Sequence, residues 1–202
     1  MITTAADTEL VDLSTATPIW ERFFTVAPLV LVGTKERDGY DLAPKHLAVP
    51  LGWENYFGFV CTPRHATLRN LLLHPEFTVS FPGADRILEA SLSAGGRREN
   101  RSKPTLAALP TFPARTVDGV LVGGCALYLE CVLDRLVDGF GENSLVVGRI
   151  VAASALRSVL RGTDVDDADL LHALRPLVYL APGRFGVVET THAFPFPPDF
   201  SR

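Results

Sequence analysis

The chain has 202 residues, of which 47% are hydrophobic and 21% charged, and it contains 16 glycines and 15 prolines. This composition is typical of a folded globular domain with many turns, and it excludes a chain that is disordered or collagen-like as a whole. The formal net charge of −4 argues against a nucleic-acid partner attracted by the field of the whole protein. Any anion site must therefore be local.

The three cysteines are Cys61, Cys125 and Cys131. They form neither an even disulfide framework nor a paired metal-binding motif, so we predict no metal site and a reducing, cytoplasmic location. The N-terminal residues carry acids rather than a basic segment followed by an apolar run, and no stretch approaches the roughly 18 apolar residues of a membrane span. We therefore predict neither export nor a membrane partner.

The first strands are predicted around a hairpin. Residues 29–34 form a short apolar run with β-branched side chains, which is typical of a buried strand. Asp38-Gly39 follows, and this dipeptide favours a tight hairpin turn because glycine tolerates a positive φ. The returning strand is predicted to run through 42–49.

A strand followed by a helix is predicted next. Residues 56–61 form an aromatic and β-branched run that stops at Thr62-Pro63. Threonine can cap free backbone N–H groups, and proline is favoured at the first helical position, so this pair predicts a helix start. Leucines at helical spacing continue to Pro75, which ends the helix.

The remainder of the chain is predicted to be mainly β. Further strands are predicted at 76–81, 120–123, 125–132, 144–153, 176–180 and 185–188, and helices within 84–109 and at 166–174. In 125–132 apolar and other side chains alternate, which indicates a half-buried strand, and 138–143 supplies its turn. Many short antiparallel strands with a few helices predict a mainly β fold with α additions, a closed barrel with peripheral helices.

One window of this acidic chain is basic. Residues 42–75 contain Lys45, Arg64 and Arg69 against a single acid, Glu54, together with three of the five histidines. The predicted helix start lies in this window, and the first turn of a helix presents free N–H groups to an anion. The window therefore predicts a phosphate site.

Two interpretations of this window remain open. In the first, Arg64 binds phosphate oxygens and Thr62 or Thr67 donates hydroxyl hydrogen bonds. In the second, the helix caps itself on the protein surface and its basic side chains are simply solvated.

The sequence resembles the flavin-reductase-like, FMN-binding split-barrel family, in its flavoredoxin-type branch. Residues 41–46 read D-L-A-P-K-H where the family has N-L-A-P-x-S, and 65–70 read H-A-T-L-R-N where it has K-D-T-x-x-N. An L-E-C segment, a V-G-x-I segment in place of V-G-x-V and a closing strand RPLVYLAPGRFG extend the similarity over most of 28–186.

The resemblance implies a homodimeric, six-stranded antiparallel split β-barrel that holds FMN near the subunit interface. It places the barrel domain at 28–190, an N-terminal extension or helix at 1–27 and a proline-rich tail at 191–202. The first motif would line the flavin ring, and 61–70 would hold the ribityl phosphate. The cofactor-binding residues implied are Asp41, Leu42, Ala43, Lys45, His46, Cys61, Thr62, Arg64, Thr67 and Asn70.

Three residues depart from the family pattern. Asp41 replaces the motif asparagine, and its charge would disfavour an anionic reduced flavin. His46 replaces the motif serine and is the candidate catalytic residue, because an imidazole can donate a hydrogen bond or a proton near the ring. It would also fill part of the space for a nicotinamide. Asn143 stands where many flavin reductases of the family have a histidine associated with nicotinamide use.

Alternative interpretations are open for His46, for the cysteines and for the loop 97–103. His46 also fits a hydrogen-bonded structural histidine. Cys61 is either a reactive thiol beside a helix terminus or a buried inert one, while Cys125 and Cys131 are interpreted as core filling. The loop 97–103 is either a clamp for the phosphate of a second nucleotide or a solvated mobile loop.

Three functions are consistent with these features. The first is an FMN-dependent oxidoreductase that passes hydride or electrons from NADH, NADPH or another small donor to a small acceptor. The second is a flavin-binding or electron-transfer protein without nicotinamide turnover, and the third is a split barrel that has lost flavin and binds another anionic ligand. The motifs of serine hydrolases, zinc proteases, P-loop proteins and Rossmann folds are absent from the sequence.

Overall fold

The structure is a computed structural model that describes residues 10–162 and 165–197. Parts of the predicted N-terminal extension and proline-rich tail, 1–9 and 198–202, lie outside the described residues. The strands of the described part are β1 (Thr25–Pro28), β2 (Val30–Glu36), β3 (Gly39–Lys45), β4 (Ala48–Pro50), β5 (Tyr56–Cys61), β6 (Glu76–Phe81), β7 (Thr111–Pro113), β8 (Val120–Val122), β9 (Leu127–Phe140), β10 (Asn143–Ala155), β11 (Leu177–Ala181) and β12 (Arg184–Val187). Its α-helices are α1 (Ala66–Leu73), α2 (Ile87–Ser93) and α3 (Asp167–Leu174), and its 3-10 turns are Ile19–Glu21, Ala84–Arg86, Pro104–Ala108 and Arg157–Val159.

The main sheet is antiparallel and curls into a split barrel. Its strand order is β3-β2-β6-β9-β10-β5-β4, so β3 and β4 are its two edges. Only His46 and Leu47 separate these edge strands in the sequence, and a link of two residues spans at most about 11 Å. The two edges must therefore lie close together, which closes the sheet except for a split at this link.

The prediction of a single strand over 42–49 and of six strands in the barrel is corrected here. The chain leaves the sheet at His46 and Leu47 and re-enters it on the opposite edge, which makes seven strands in the main sheet. The apolar character of the segment does not reveal this break, because both halves of it are strands.

Aromatic side chains fill the barrel interior. Phe59 and Phe77 pack edge to face with ring centroids 5.4 Å apart, and both rings are fully buried. A Cβ atom on Gly148 would lie 2.2 Å from the Phe77 ring, so this close approach requires glycine. Burial of such rings is the main source of the stability of the barrel.

A second apolar cluster lies outside the barrel. Val30 and Val32 point into the interior, whereas Leu29 and Leu31 pack in the outer cluster with Ala90 of α2. Strand β2 is thus covered on both faces, and this explains its continuous apolar run.

Cys125 lies in the outer cluster and Cys131 in the inner one, as the core-filling interpretation expects. The predicted alternation across 125–132 is wrong, however. Strand β9 begins at Leu127, and the Glu130 side chain is buried because the segment before β8 covers it. The Glu130 carboxylate accepts hydrogen bonds from the backbone N–H groups of 115–117.

The long β9–β10 hairpin turns at Gly141 and Glu142, so most of the segment predicted as a turn continues the strands. Helix α3 is capped as predicted, because the Asp166 side chain accepts a hydrogen bond of 2.8 Å from the Ala168 N–H. Strands β1, β11 and β12 form a small separate sheet.

The helix start predicted at Thr62-Pro63 is wrong. Helix α1 begins at Ala66, and its N-cap residue, His65, makes no side-chain cap hydrogen bond. Instead, the His65 N–H donates to the Thr62 carbonyl at 3.0 Å, which forms a turn between β5 and α1. Within 10–162 and 165–197, no helix is both long enough and apolar enough to cross a membrane.

Candidate functional site

A cavity of about 390 Å³ lies where β3 reaches the split, and we call it the basic cavity. The residues that line it are Asp41, Ala43, Pro44, Lys45, Arg64, His65, Ala66, Thr67, Arg69, Ser93, Ala94, Gly95, Arg97 and Lys103. Five of them are lysines or arginines and one is an acid. This local excess of positive charge in an acidic chain is the kind of environment that binds a phosphate.

Lys45, at the end of β3, is buried with only 6% of its surface exposed. Its ammonium donates a hydrogen bond to the Cys61 sulfur over 3.6 Å, and no carboxylate of the described residues forms an ion pair with it. A buried ammonium without a counter-charge is costly. An anion in the basic cavity would compensate this charge.

The loop predicted either to clamp phosphate or to be solvated is held at both ends. Arg97 forms ion pairs with Glu36 at 2.7 Å and with Asp41 at 2.9 Å. The Lys103 ammonium lies 3.3 Å from the Asp41 carboxylate and donates a 2.6 Å hydrogen bond to the Leu42 carbonyl. The interpretation of the whole segment as a solvated mobile loop is therefore wrong, because β3 offers buried acceptors to these two cations.

Asp41 is consequently a neutralised acid in the cavity wall. It is 3% exposed and sits between Arg97 and Lys103. Burial lowers the pKa of Lys103 below its usual value, and the attraction of Asp41 opposes this shift. The expected repulsion between Asp41 and an anionic flavin is thereby weakened, since two cations compensate the carboxylate.

The turn before α1 and the helix itself supply the other two cations, Arg64 and Arg69. Arg64 is exposed and forms an ion pair with Glu142 at the tip of the β9–β10 hairpin. The Arg69 guanidinium donates a 2.8 Å hydrogen bond to the Arg64 carbonyl, which fixes the turn. Thr67 is buried in the first turn of α1 and lines the basic cavity.

Leu42 and Asn70, two of the predicted cofactor-binding residues, line none of the cavities at the split. The Leu42 side chain packs in the outer apolar cluster, and only its carbonyl faces the site, where Lys103 binds it. The Asn70 amide donates a 3.0 Å hydrogen bond to the Thr34 hydroxyl and so joins α1 to β2.

A smaller cavity of about 160 Å³ adjoins the basic one, and we call it the thiol cavity. Its lining residues are Pro44, Lys45, His46, Leu47, Val60, Cys61, Thr62, His65 and Asn143. Two of the three departures from the family pattern, His46 and Asn143, thus meet at one place in the fold.

A third cavity of about 290 Å³, the aromatic cavity, lies on the other side of His46. The His46 ring packs against the Tyr179 ring with a centroid separation of 4.4 Å, and Arg184 and Phe185 complete this end. Burial and then the Lys45 charge lower the pKa of His46. A neutral imidazole can donate a hydrogen bond from its single N–H group, but it lacks the second ring proton that a general acid would transfer.

Sequence reasoning missed Ser93, Ala94 and Gly95 after α2 and Tyr179, Arg184 and Phe185 around the last turn. These residues are distant from both motifs in sequence, and the fold brings them to the split. The glycine pair at 95–96 and the proline-glycine turn at 182–183 are the signals that mark these segments as close-approach points.

Two larger cavities lie away from the split. One, of about 930 Å³, separates α3 from residues 191–194, and its Arg161 is already paired with Asp167 at 2.6 Å. The other, of about 490 Å³, is lined almost entirely by apolar side chains between β1 and Arg157–Val159. Neither combines buried unpaired charge with histidine or thiol groups, so the split is the candidate site.

Comparisons with known proteins agree with this fold. Flavoredoxin from Methanosarcina acetivorans superposes with a TM-score of 0.75 at 17% identity, covering 94% of this chain and 97% of that one. An FMN-binding protein from Thermus thermophilus gives 0.70 at 19%, covering 92% and 98%. An NADH:FAD oxidoreductase of Streptomyces globisporus gives 0.69 at 16%, covering 90% and 98%. A search of curated protein sequences gives no match.

The sequence profile of the flavin reductase like domain matches residues 23–186, which include β3, the turn before α1 and the last strands. This match spans most of the chain and confirms the resemblance carried by the two motifs. The chain belongs to the flavin reductase like domain family.

Proposed function

We propose that the protein is an FMN-dependent oxidoreductase that passes hydride or electrons to a small acceptor. Its family assigns it to the flavin-related oxidoreductases. The observation that carries the proposal is the basic cavity, where Lys45 is buried without a carboxylate partner among the described residues. A phosphate monoester supplies the charge that this ammonium lacks.

In this proposal Arg64 and Arg69 contact the phosphate at the mouth of the cavity, and the Thr67 hydroxyl contacts it from the first turn of α1. The segment from Pro44 to His46 lines the flavin ring, because it borders all three cavities at the split. Flavin, when bound, supplies the capacity to accept and release a hydride or single electrons. The chain contributes placement, and His46 contributes a neutral hydrogen-bond donor.

The arrangement favours FMN over a larger flavin nucleotide. The cations converge on a single cavity of about 390 Å³, which suits one terminal phosphate. Among the structural neighbours, one is described as FMN-binding and another as acting on FAD. Parallel titrations with the two flavins test this preference directly.

The cofactor assignment is tested by the absorbance spectrum of the purified protein and by titration with FMN. Lys45→Met should raise the Kd for FMN about tenfold or more, because it removes the buried charge and keeps the side-chain volume. Lys35→Met is the matched control, since Lys35 pairs with Asp118 on the surface. An unchanged Kd in Lys45→Met contradicts the proposal. A flat titration of the unmodified protein favours a barrel that binds another anion.

A second candidate function is flavin binding or electron transfer without nicotinamide turnover. The packing of His46 on Tyr179 favours it, because the two rings fill space beside the split where a nicotinamide would stack. Anaerobic mixing of the FMN-loaded protein with NADH or NADPH separates the candidates. Rapid bleaching of the flavin absorbance excludes the second one, and its absence excludes nicotinamide as donor.

The proposal includes a homodimer. Leu47 and Val49 at the β4 edge, and Val137 and Phe140 on the β9–β10 hairpin, are exposed apolar side chains near the split. A second copy would cover them and complete the site from both chains. Sedimentation velocity should give the mass of two chains, and Phe140→Glu should shift it toward one. A monomer at all concentrations contradicts this part of the proposal.

A further inference from the structure

Cys61 differs from the other two cysteines in its surroundings. It is the last residue of β5, its sulfur receives the Lys45 ammonium hydrogen bond over 3.6 Å, and it lines the thiol cavity. Cys61 therefore borders a cavity of about 160 Å³ that has room for a small molecule, although the residue itself is only 2% exposed.

Cys125 and Cys131 are internal references for this difference. Both lie in apolar clusters, and burial raises the pKa of each thiol to about 12. At neutral pH these two sulfurs are protonated and lack the anionic form that attacks electrophiles. A chemical probe can thus compare three thiols within one molecule.

The positive charge beside Cys61 comes from the Lys45 ammonium and not from the N-terminus of a helix. Helix α1 begins five residues later, at Ala66, whereas Lys45 reaches the sulfur from the end of β3. Strand β5 pairs with β4 and β10 but not with β3. The thiol and the ammonium therefore meet across the split, in the wall of the proposed cofactor site.

We propose that Cys61 is a peroxide-reactive thiol promoted by Lys45, and that its oxidation weakens the binding of a phosphate-bearing ligand. The oxidant is hydrogen peroxide. The thiolate sulfur attacks one peroxide oxygen, the S–O bond forms as the O–O bond breaks, and the departing hydroxide takes up a proton to become water. Sulfur loses two electrons and peroxide gains them, which leaves a sulfenic acid.

The effect on ligand binding rests on the proposed function of the basic cavity. A sulfenic oxygen on Cys61 would lie beside the Lys45 ammonium and accept its hydrogen bond. Lys45 borders both the thiol cavity and the basic cavity. Its ammonium would thereby be drawn away from a phosphate, and the site would respond to peroxide in its surroundings.

The thiol chemistry is tested first without any flavin. Protein at near-neutral pH is treated with hydrogen peroxide in the presence of a sulfenic-acid trap, and labelling of each cysteine is followed by peptide mass spectrometry. Cys61 should be labelled at least about tenfold faster than Cys125 or Cys131. Equal labelling of the three cysteines overturns the proposal and needs no variant to do so.

The role of the ammonium is tested by Lys45→Met, which should slow Cys61 labelling about tenfold, with Lys35→Met as the unchanged control. Iodoacetamide alkylation repeats the comparison without an oxidant. If Cys61 reacts at the same rate in Lys45→Met and in the unmodified protein, Lys45 has no part in the reaction and the proposal fails.

The regulatory step is tested by FMN titration of reduced protein, peroxide-treated protein and peroxide-treated Cys61→Ala. Peroxide should weaken FMN binding in the unmodified protein only, and dithiothreitol should restore it. Equal weakening in Cys61→Ala overturns the regulatory step. If reduced protein does not bind FMN at all, the proposed function fails and with it the regulatory step, while the labelling rates still decide whether Cys61 is the reactive thiol.

Discussion

Two buried carboxylates, each 3% exposed, occupy different regions of this protein. Glu130 lies on β9, beneath the segment before β8, and accepts hydrogen bonds from three consecutive backbone N–H groups. Asp41 lies on β3 in the wall of the basic cavity and is compensated by the side chains of Arg97 and Lys103.

The groups that compensate each carboxylate distinguish Glu130, which has a structural role, from Asp41, which belongs to the proposed ligand site. The backbone N–H groups at Glu130 have no other acceptor in the part of the chain that the structure describes, so the carboxylate holds one loop against the sheet. The cations at Asp41 are long side chains that border a cavity, and they can share their charge with a ligand. Substitution of each carboxylate tests this distinction, and a third substitution tests the neutral ring of His46 at the split.

Glu130→Gln should have the largest effect on the free energy of unfolding. The amide group would place N–H donors against backbone N–H donors, so we expect a loss of about 3 kcal/mol in urea unfolding experiments. The FMN affinity of the folded fraction should stay the same, because Glu130 does not line the basic cavity.

The control for this substitution is Glu189→Gln, which alters an exposed carboxylate paired with Arg175. Its effect should stay within about 0.5 kcal/mol, as for most surface ion pairs. A Glu130→Gln variant that is as stable as the control would show that the loop does not depend on this carboxylate.

Asp41→Asn should lower the free energy of unfolding less than Glu130→Gln does, and it should strengthen FMN binding, which Glu130→Gln leaves unchanged. We expect a loss of about 2 kcal/mol, since Glu36 and the Leu42 carbonyl still bind the two cations. The affinity for FMN should rise about threefold to tenfold at low salt, because a negative charge leaves the cavity. The gain should shrink as salt is added, and an affinity that falls would contradict the anion-site assignment.

His46→Phe should have the smallest effect, visible only in acid. Burial and Lys45 lower the pKa of His46 below its unfolded value of 6.5, so the unfolded chain binds the extra proton first. The stability due to the neutral ring is complete above pH 6.5 and is lost as the pH falls through the lowered pKa. The variant should therefore lose less stability than the unmodified protein between neutral pH and about pH 5, by less than about 1 kcal/mol.

His65 continues to contribute in both proteins, because burial followed by the nearby cations lowers its pKa as well. The acid sensitivity of the variant should thus be reduced and not abolished. Urea unfolding at the two pH values measures the difference, and identical pH dependence in both proteins would place the His46 ring in a more solvated setting than the split provides.

Much of the fold could be predicted from local chemistry. The hairpin between β2 and β3, strands β5 and β6, and the capped helix α3 all follow from turn residues and apolar runs within a few positions of each element, although the hairpin loop is Arg37-Asp38 and not Asp38-Gly39. The basic window between 42 and 75 likewise pointed to the region that contains Lys45 and the basic cavity. The roles assigned to Ala43, Thr62 and Thr67 in holding a cofactor remain predictions.

Errors arose where a residue's partner is remote in sequence. The burial of Glu130 depends on 115–117, and the ordering of the loop after α2 depends on Asp41, some sixty positions before Lys103. From the sequence, polar side chains in these segments are expected to be solvated, because the groups to which they hydrogen-bond belong to elements that are distant along the chain.

Sequence alone was sufficient for the fold class, the family and the identity of the basic segment, since these depend on short motifs and on periodicity along the chain. The geometry of the candidate site was determined by the curling of the sheet. It brought the two edge strands together at His46, placed Lys45 against Cys61 and gathered the cations of α1 and of the loop after α2 into one cavity. Contacts across a split between unpaired strands leave no local pattern, because they depend on long-range pairing and not on the spacing of neighbouring residues.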